Sequence, residues 1–208
     1  NFGLYEQVFK TRHGYGIHKM AVSGESADGW IATHTKQLAF IDEAIRRGLH
    51  PSHVLIALGT NDFGTNTNPD ALAVTMNRID QIATFWRNRG AKVLLATILP
   101  YCTTNASSNK FTTIAEQSPK NVNFQPGGNV DQYNAALRNG TGPANDGIVD
   151  GNIILRDPVA THAWKVDAYP SFGTGANALC NTESDGVTGV HPNRGAGIPY
   201  FVANATLP

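Results

Sequence analysis

The chain reads as an α/β fold: a parallel sheet with helices on both faces, in three layers. Two observations carry this. Short apolar runs suited to strands alternate with segments whose apolar residues recur at helical spacing, and strand–helix alternation lays helices on both faces of a parallel sheet. The run Val54-Leu55-Ile56-Ala57-Leu58 also stops abruptly at Gly59-Thr60-Asn61-Asp62. A buried strand ends this way at a sheet edge, because Gly permits a sharp turn and Asn tolerates irregular backbone.

Taken in order, Leu4, Tyr5, Val8 and Phe9 give one apolar face of a short opening helix that Gly14 and Gly16 close, and Ile17 to Val22 reads as a strand. After the polar turn Ser23-Gly24-Glu25-Ser26, the spacing of Leu38, Ile41 and Ile45 predicts a helix ending at Gly48, which leads into the Val54 strand. Asn68-Pro69-Asp70 predicts a cap with Pro at the first helical position. Leu72, Met76, Ile79, Ile82 and Trp86 then form the buried stripe of a long helix that stops at Gly90, before a strand over Lys92 to Leu99. Pro100 to Gly128 reads as a long loop with one short helix, Val130 to Arg138 as a helix, and Ile153-Ile154-Leu155 as a short strand. Asp157 to Val190 is again irregular, and Gly195 to Ala205 reads as a final helix with Pro199 in its first turn. Connections this long in a compact domain usually carry binding function. Every segment that follows a strand of a parallel sheet emerges at one edge, so Gly24, Asn61, the Tyr101 loop and the loop ending at His191 are expected to converge there.

At 208 residues one domain spanning 1–208 is expected. Lys plus Arg equals Asp plus Glu at 16 each, which leaves no electrostatic footprint for nucleic acid or an anionic membrane. No stretch approaches the roughly 18 apolar residues that span a bilayer. Charged residues make up only 15% of the chain, with Asn, Thr and Gly carrying the polar load, a composition that leans towards a secreted protein. The glycosylation sequons at Asn105, Asn139 and Asn204 are no more than such a composition gives by chance. Cys102 and Cys180 fall in segments assigned to the same sheet edge, open either to a disulfide or to two buried thiols. No Cys and His set has zinc spacing. His50 and His53 belong at the opposite edge and read as surface residues. Trp164 is a core aromatic or the lining of a substrate groove.

An ester hydrolase of the nucleophilic type needs an attacking hydroxyl, an imidazole to take its proton, and donors aimed at the developing oxyanion. Asn61 offers a side-chain donor, Gly24 a backbone N–H in a turn that a side chain would obstruct, and His191 the base, fixed before Pro192. With Ala21-Val22-Ser23-Gly24-Glu25-Ser26, Gly59-Thr60-Asn61-Asp62 and Val190-His191-Pro192-Asn193 in this order, the chain resembles the SGNH, or GDSL-like, hydrolases over about residues 4 to 205. The resemblance implies a flavodoxin-like sheet of order 2-1-3-4-5, oxyanion donors at Gly24 and Asn61, a catalytic His191, and no metal or organic cofactor. An ester of a small acyl group is the expected substrate, here an O-acetylated carbohydrate; a glycan-binding module without activity is the alternative.

Two departures from the family pattern stand out. The Asp three residues before the His is here Thr188; Asp185 is the first candidate to orient the imidazole, helped by Gly186 and Gly189, with Glu183 second and a backbone carbonyl third. The Gly-Asp-Ser block with the nucleophile has no counterpart before Gly24. Its strand would lie between the Ile17 and Val54 strands, and an interior strand leaves unpaired backbone on both neighbours if omitted. A separate peptide or chain is therefore expected to supply strand and serine. In the rival reading Gly24-Glu25-Ser26 is that block and Ser26 the nucleophile, but the Gly24 to Asn61 interval, with one helix and one strand, suits the second and third blocks better.

Overall fold

The computed structural model describes residues 24–34, 38–48, 50–64, 70–104, 113–167, 177–178, 188–189 and 197–204. The expected opening helix and the Ile17–Val22 strand lie outside them. The described elements run α1 (Ala27–His34), α2 (Leu38–Arg46), β1 (His53–Ile56), α3 (Thr60–Gly64), α4 (Leu72–Arg87), β2 (Lys92–Ala96), β3 (Cys102–Thr104), β4 (Gln117–Pro119), α5 (Asn129–Arg138), β5 (Gly147–Val149), α6 (Gly151–Leu155), β6 (Val166–Asp167), β7 (Asn177–Ala178), β8 (Thr188–Gly189) and α7 (Gly197–Asn204).

The fold class is the expected one. Strands β1, β2 and β5 form a parallel sheet in that order, in a register that sets His53 beside Lys92 and Ile56 beside Leu95, then Leu94 beside Gly147 and Ala96 beside Val149. Parallel strands need a crossover, and α4 and α5 provide the two. Helix α4 buries Thr75, Ile79, Ile82, Ala83 and Trp86, with Leu72 and Met76 partly covered against the same core. Val93 and Leu95 of β2 are fully buried within that core. Each such aliphatic side chain removed from water contributes roughly 1.5–3 kcal/mol.

Several expectations need correction. Helix α4 does not begin with Pro69: its N-cap is Ala71, in extended conformation. Asp70 anchors the lead-in instead, since its N–H donates to the Asp62 carbonyl at 3.0 Å and its carboxylate pairs with Arg78. Strand β2 stops at Ala96, because Asn134 takes both backbone groups of Ile98: its Oδ1 accepts from the Ile98 N–H at 2.8 Å and its Nδ2 donates to the Ile98 carbonyl at 2.9 Å. Ile153-Ile154-Leu155 is helical and the strand is Gly147–Val149. Asp150 caps α6 through the Ile153 N–H, and Ile153 is 55% exposed, so its apolar character reflects no strand burial. Three apolar residues in a row do not distinguish the two states. Helix α1 starts directly after Ser26 and puts a second helix between Gly24 and Asn61, where one was expected.

The two long connections are not plain loops. They meet as an antiparallel sheet of order β4-β3-β8, with Cys102 beside Pro119 on one side and Gly189 on the other. Trp164 is fully buried with Leu155 and Cys102 and lines no groove. Gln117 clasps its backbone, accepting from the Trp164 N–H at 2.8 Å and donating to its carbonyl at 2.9 Å. Cys102 is a buried free thiol that donates to the His162 carbonyl at 3.1 Å; Cys180 lies outside the described residues. His50 and His53 are exposed, as expected.

Candidate active site

The site is built from the end of β1 upward. Gly59 makes the turn with φ of 113°, which requires glycine, and a Cβ there would sit 2.6 Å from Ile98 Cδ1 and have to displace it. The Phe63 N–H donates to the Gly59 carbonyl at 3.0 Å and opens α3. Phe63 is buried against Tyr133, ring centroids 6.4 Å apart, which turns Asn61 and Asp62 towards the Gly24–Ala27 segment.

That segment is gripped at two points. Asn61 Nδ2 donates to the Glu25 carbonyl at 2.8 Å, and both oxygens of the Asp62 carboxylate accept from the Ala27 N–H, at 3.0 and 2.9 Å. A primary amide carries two hydrogens, so Asn61 retains one for a further acceptor. Gly24 has φ of 77° and a Cβ there would meet nothing within 4 Å. Its glycine is demanded by conformation, not by obstruction as expected. Ser26 Oγ accepts from the Gly29 N–H at 3.0 Å, the N-cap of α1.

Asp62 is 3% exposed. Burial raises its pKa, opposed by the N–H groups of Ala27, Asp62 and Asp28, while the charge of Asp70 adds to the rise. Arg78 reaches towards it from α4, with Nη1 at 4.0 Å from Asp62 Oδ1 and Nη2 at 3.1 Å from Asp28, and binds Asp70.

The far end of α3 is fixed as firmly. The Phe63 carbonyl accepts from Asn121 Nδ2 at 2.8 Å and Asn123 Nδ2 at 3.1 Å, and Asn129 Nδ2 donates to Asn123 Oδ1. Tyr101 packs so closely on Gly64 that a Cβ there would stand 3.0 Å from its ring, and Tyr101 meets Phe124 edge to face at 5.4 Å.

Of the expected site residues, the structure bonds Asn61 to Glu25, the residue after Gly24, and makes Ser26 a helix cap. His191 and Asp185 lie outside the described residues. Strand β8 ends at Gly189, two residues before His191, and its partner Cys102 directly follows Tyr101. Sequence reasoning missed the grips of Asp62, Asn121 and Asn123; only the position of Asp62 beside Asn61 hinted at one of them.

No family model and no curated protein matches the chain. Among solved structures it is similar to a GDSL-like lipase from Bacteroides thetaiotaomicron, at 21% identity and a TM-score of 0.48 over 87% of this chain and 69% of that one. It is also similar to a proposed acylhydrolase from Bacteroides fragilis, at 20% identity and a TM-score of 0.47 over 85% of this chain and 66% of that one.

Proposed function

We propose that the chain is part of a serine-type ester hydrolase in which Asn61 Nδ2 and the Gly24 N–H hold the oxyanion and His191, oriented by Asp185, is the base. One observation carries the reading: the Asn61 amide is bonded to the Glu25 carbonyl, next to Gly24, across 36 positions of sequence. The Asn61 amide thus sits against the residue that follows Gly24, with a hydrogen to spare, which supports the pair as oxyanion donors. His191 removes the serine proton, the acyl-enzyme forms while the donors hold the oxyanion, and water releases the acid.

A separate peptide or chain paired beside β1 is the proposed source of the serine. Ser26 is the lesser choice, because its Oγ is committed to the Gly29 N–H. An O-acetylated carbohydrate is the proposed substrate, on the strength of the weakly charged composition and the two long connections that meet beside the site.

Fluorophosphonate labelling of the protein purified from its natural source, read by intact mass and peptide sequencing, tests the reading. A label on a serine outside residues 1–208 supports it, and one on Ser26 relocates the nucleophile. An unlabelled protein that still binds acetylated glycan makes it a binding module. Asn61→Ala should lower turnover on an acetyl ester by on the order of 100-fold; undiminished turnover removes Asn61 from the oxyanion site.

A further inference from the structure

We propose that Asp62, balanced by Arg78, is a positioning residue for the oxyanion site: it locks the first turn of α1 so that the Gly24–Glu25 backbone and the Asn61 amide keep one spacing. The inference rests on the esterase reading above. Asn61 and Asp62 are consecutive on α3, and their acceptor and donor, the Glu25 carbonyl and the Ala27 N–H, lie two residues apart on the other segment. One hydrogen bond would leave the turn free to pivot about Asn61, whereas two from adjacent residues fix its translation and its rotation. Ser26 serves the Gly29 N–H as the N-cap of α1 itself, whereas the Asp62 carboxylate takes the Ala27 N–H from a separate element and so ties the first turn to α3. Burying such a charge is costly unless it is paired and hydrogen-bonded. Here the Ala27 N–H bonds it and Arg78 Nη1 stands 4.0 Å away, while Arg78 also binds Asp28 and Asp70 and so ties α4 to both segments.

The role is indirect, because Asp62 touches the turn and not the reacting atoms. A misplaced turn should weaken oxyanion binding, which develops only in the transition state, and leave substrate binding alone. The test compares wild type, Asp62→Asn, Arg78→Met and Asn61→Ala in the full-length protein, with p-nitrophenyl acetate turnover and the Ala27 amide resonance as readouts. Asp62→Asn should lower kcat by roughly tenfold to a hundredfold, leave KM within about twofold, and move the Ala27 amide proton upfield as its charged acceptor disappears. Arg78→Met should act in the same direction more weakly, and it decides the matter if Asp62→Asn fails to fold. A folded Asp62→Asn or Arg78→Met protein with wild-type kcat, in a background where Asn61→Ala is impaired, overturns the positioning role and leaves the esterase reading standing. A wild type that hydrolyses no ester instead removes the esterase reading, and the positioning role with it.

Discussion

At the scale of single residues, the tightest constraint is glycine 59. Its φ of 113° is hostile to any side chain, and the space a methyl would need is held by buried Ile98. Gly59→Ala should therefore cost about 2–4 kcal/mol in urea unfolding, combining backbone strain with overpacking. Gly140 is the control: its φ is 69° but a Cβ there meets nothing within 4 Å, so Gly140→Ala should cost only about 1 kcal/mol. Equal costs would mean that contact with Ile98 contributes nothing. Cys102 gives a second residue-scale expectation. Burial pushes its thiol up to about 12, and the thiolate is the reactive form. Iodoacetamide at neutral pH should leave the Cys102 peptide unmodified in native protein and alkylate it once urea unfolds the chain. Rapid alkylation without urea would show that β3 opens readily.

Elements were legible where their signal is local and hidden where it is not. The stripe of α4 and the apolar run of β1 announce themselves, because one face of each must be buried. Strand β3 does not: its partners are β4, further along its own irregular stretch, and β8, in the distant second one, and no periodicity within Cys102–Thr104 encodes them. Near the site, Gly-x-Asn-Asp and its glycine turn were readable as a pair; the Asp62 grip was not, because it depends on where α1 starts. The true end of β2 was equally hidden, since it is decided by Asn134 on α5. Asp150 organises the same junction. It accepts from the Thr97 hydroxyl at 3.0 Å, from Arg138 Nε and Nη2 at 2.6 and 2.8 Å, and from the Ile153 N–H at 3.2 Å. Removing it strips α6 of its cap and leaves Arg138 without its principal counter-charge, so Asp150→Ala should cost on the order of 3 kcal/mol. A thermal or urea transition within experimental error of wild type would show that α6 docks without its cap.

At the scale of the whole molecule, Asp150 and Asp62 set opposing pH dependences, and the sign of each follows from its environment. For Asp150, burial pushes its pKa up, but the bond and charge of Arg138, with the Ile153 N–H and the Thr97 hydroxyl, outweigh burial and hold it below the usual range. The folded state then binds fewer protons than the unfolded state, so its contribution is complete above the ordinary carboxylate pKa and is lost as pH falls through the folded value. Asp62 runs the other way. Burial dominates and the pKa is raised, so the folded state binds more protons, and stability declines as pH climbs from the ordinary carboxylate value through the raised one. Ionising Asp62 thus destabilises the fold, although the ionised form is the one that grips the Ala27 N–H most strongly. A position chosen for stability alone would carry a neutral residue; a charge kept there at a cost fits a role in holding the turn. Urea unfolding from pH 4 to pH 7 checks this. The stability of wild type minus that of Asp62→Asn should decrease as pH rises, because the variant has no proton to lose at that site. A difference that grows with pH would mean that hydrogen bonding and Arg78 outweigh burial, and the argument that Asp62 is retained against stability would fail.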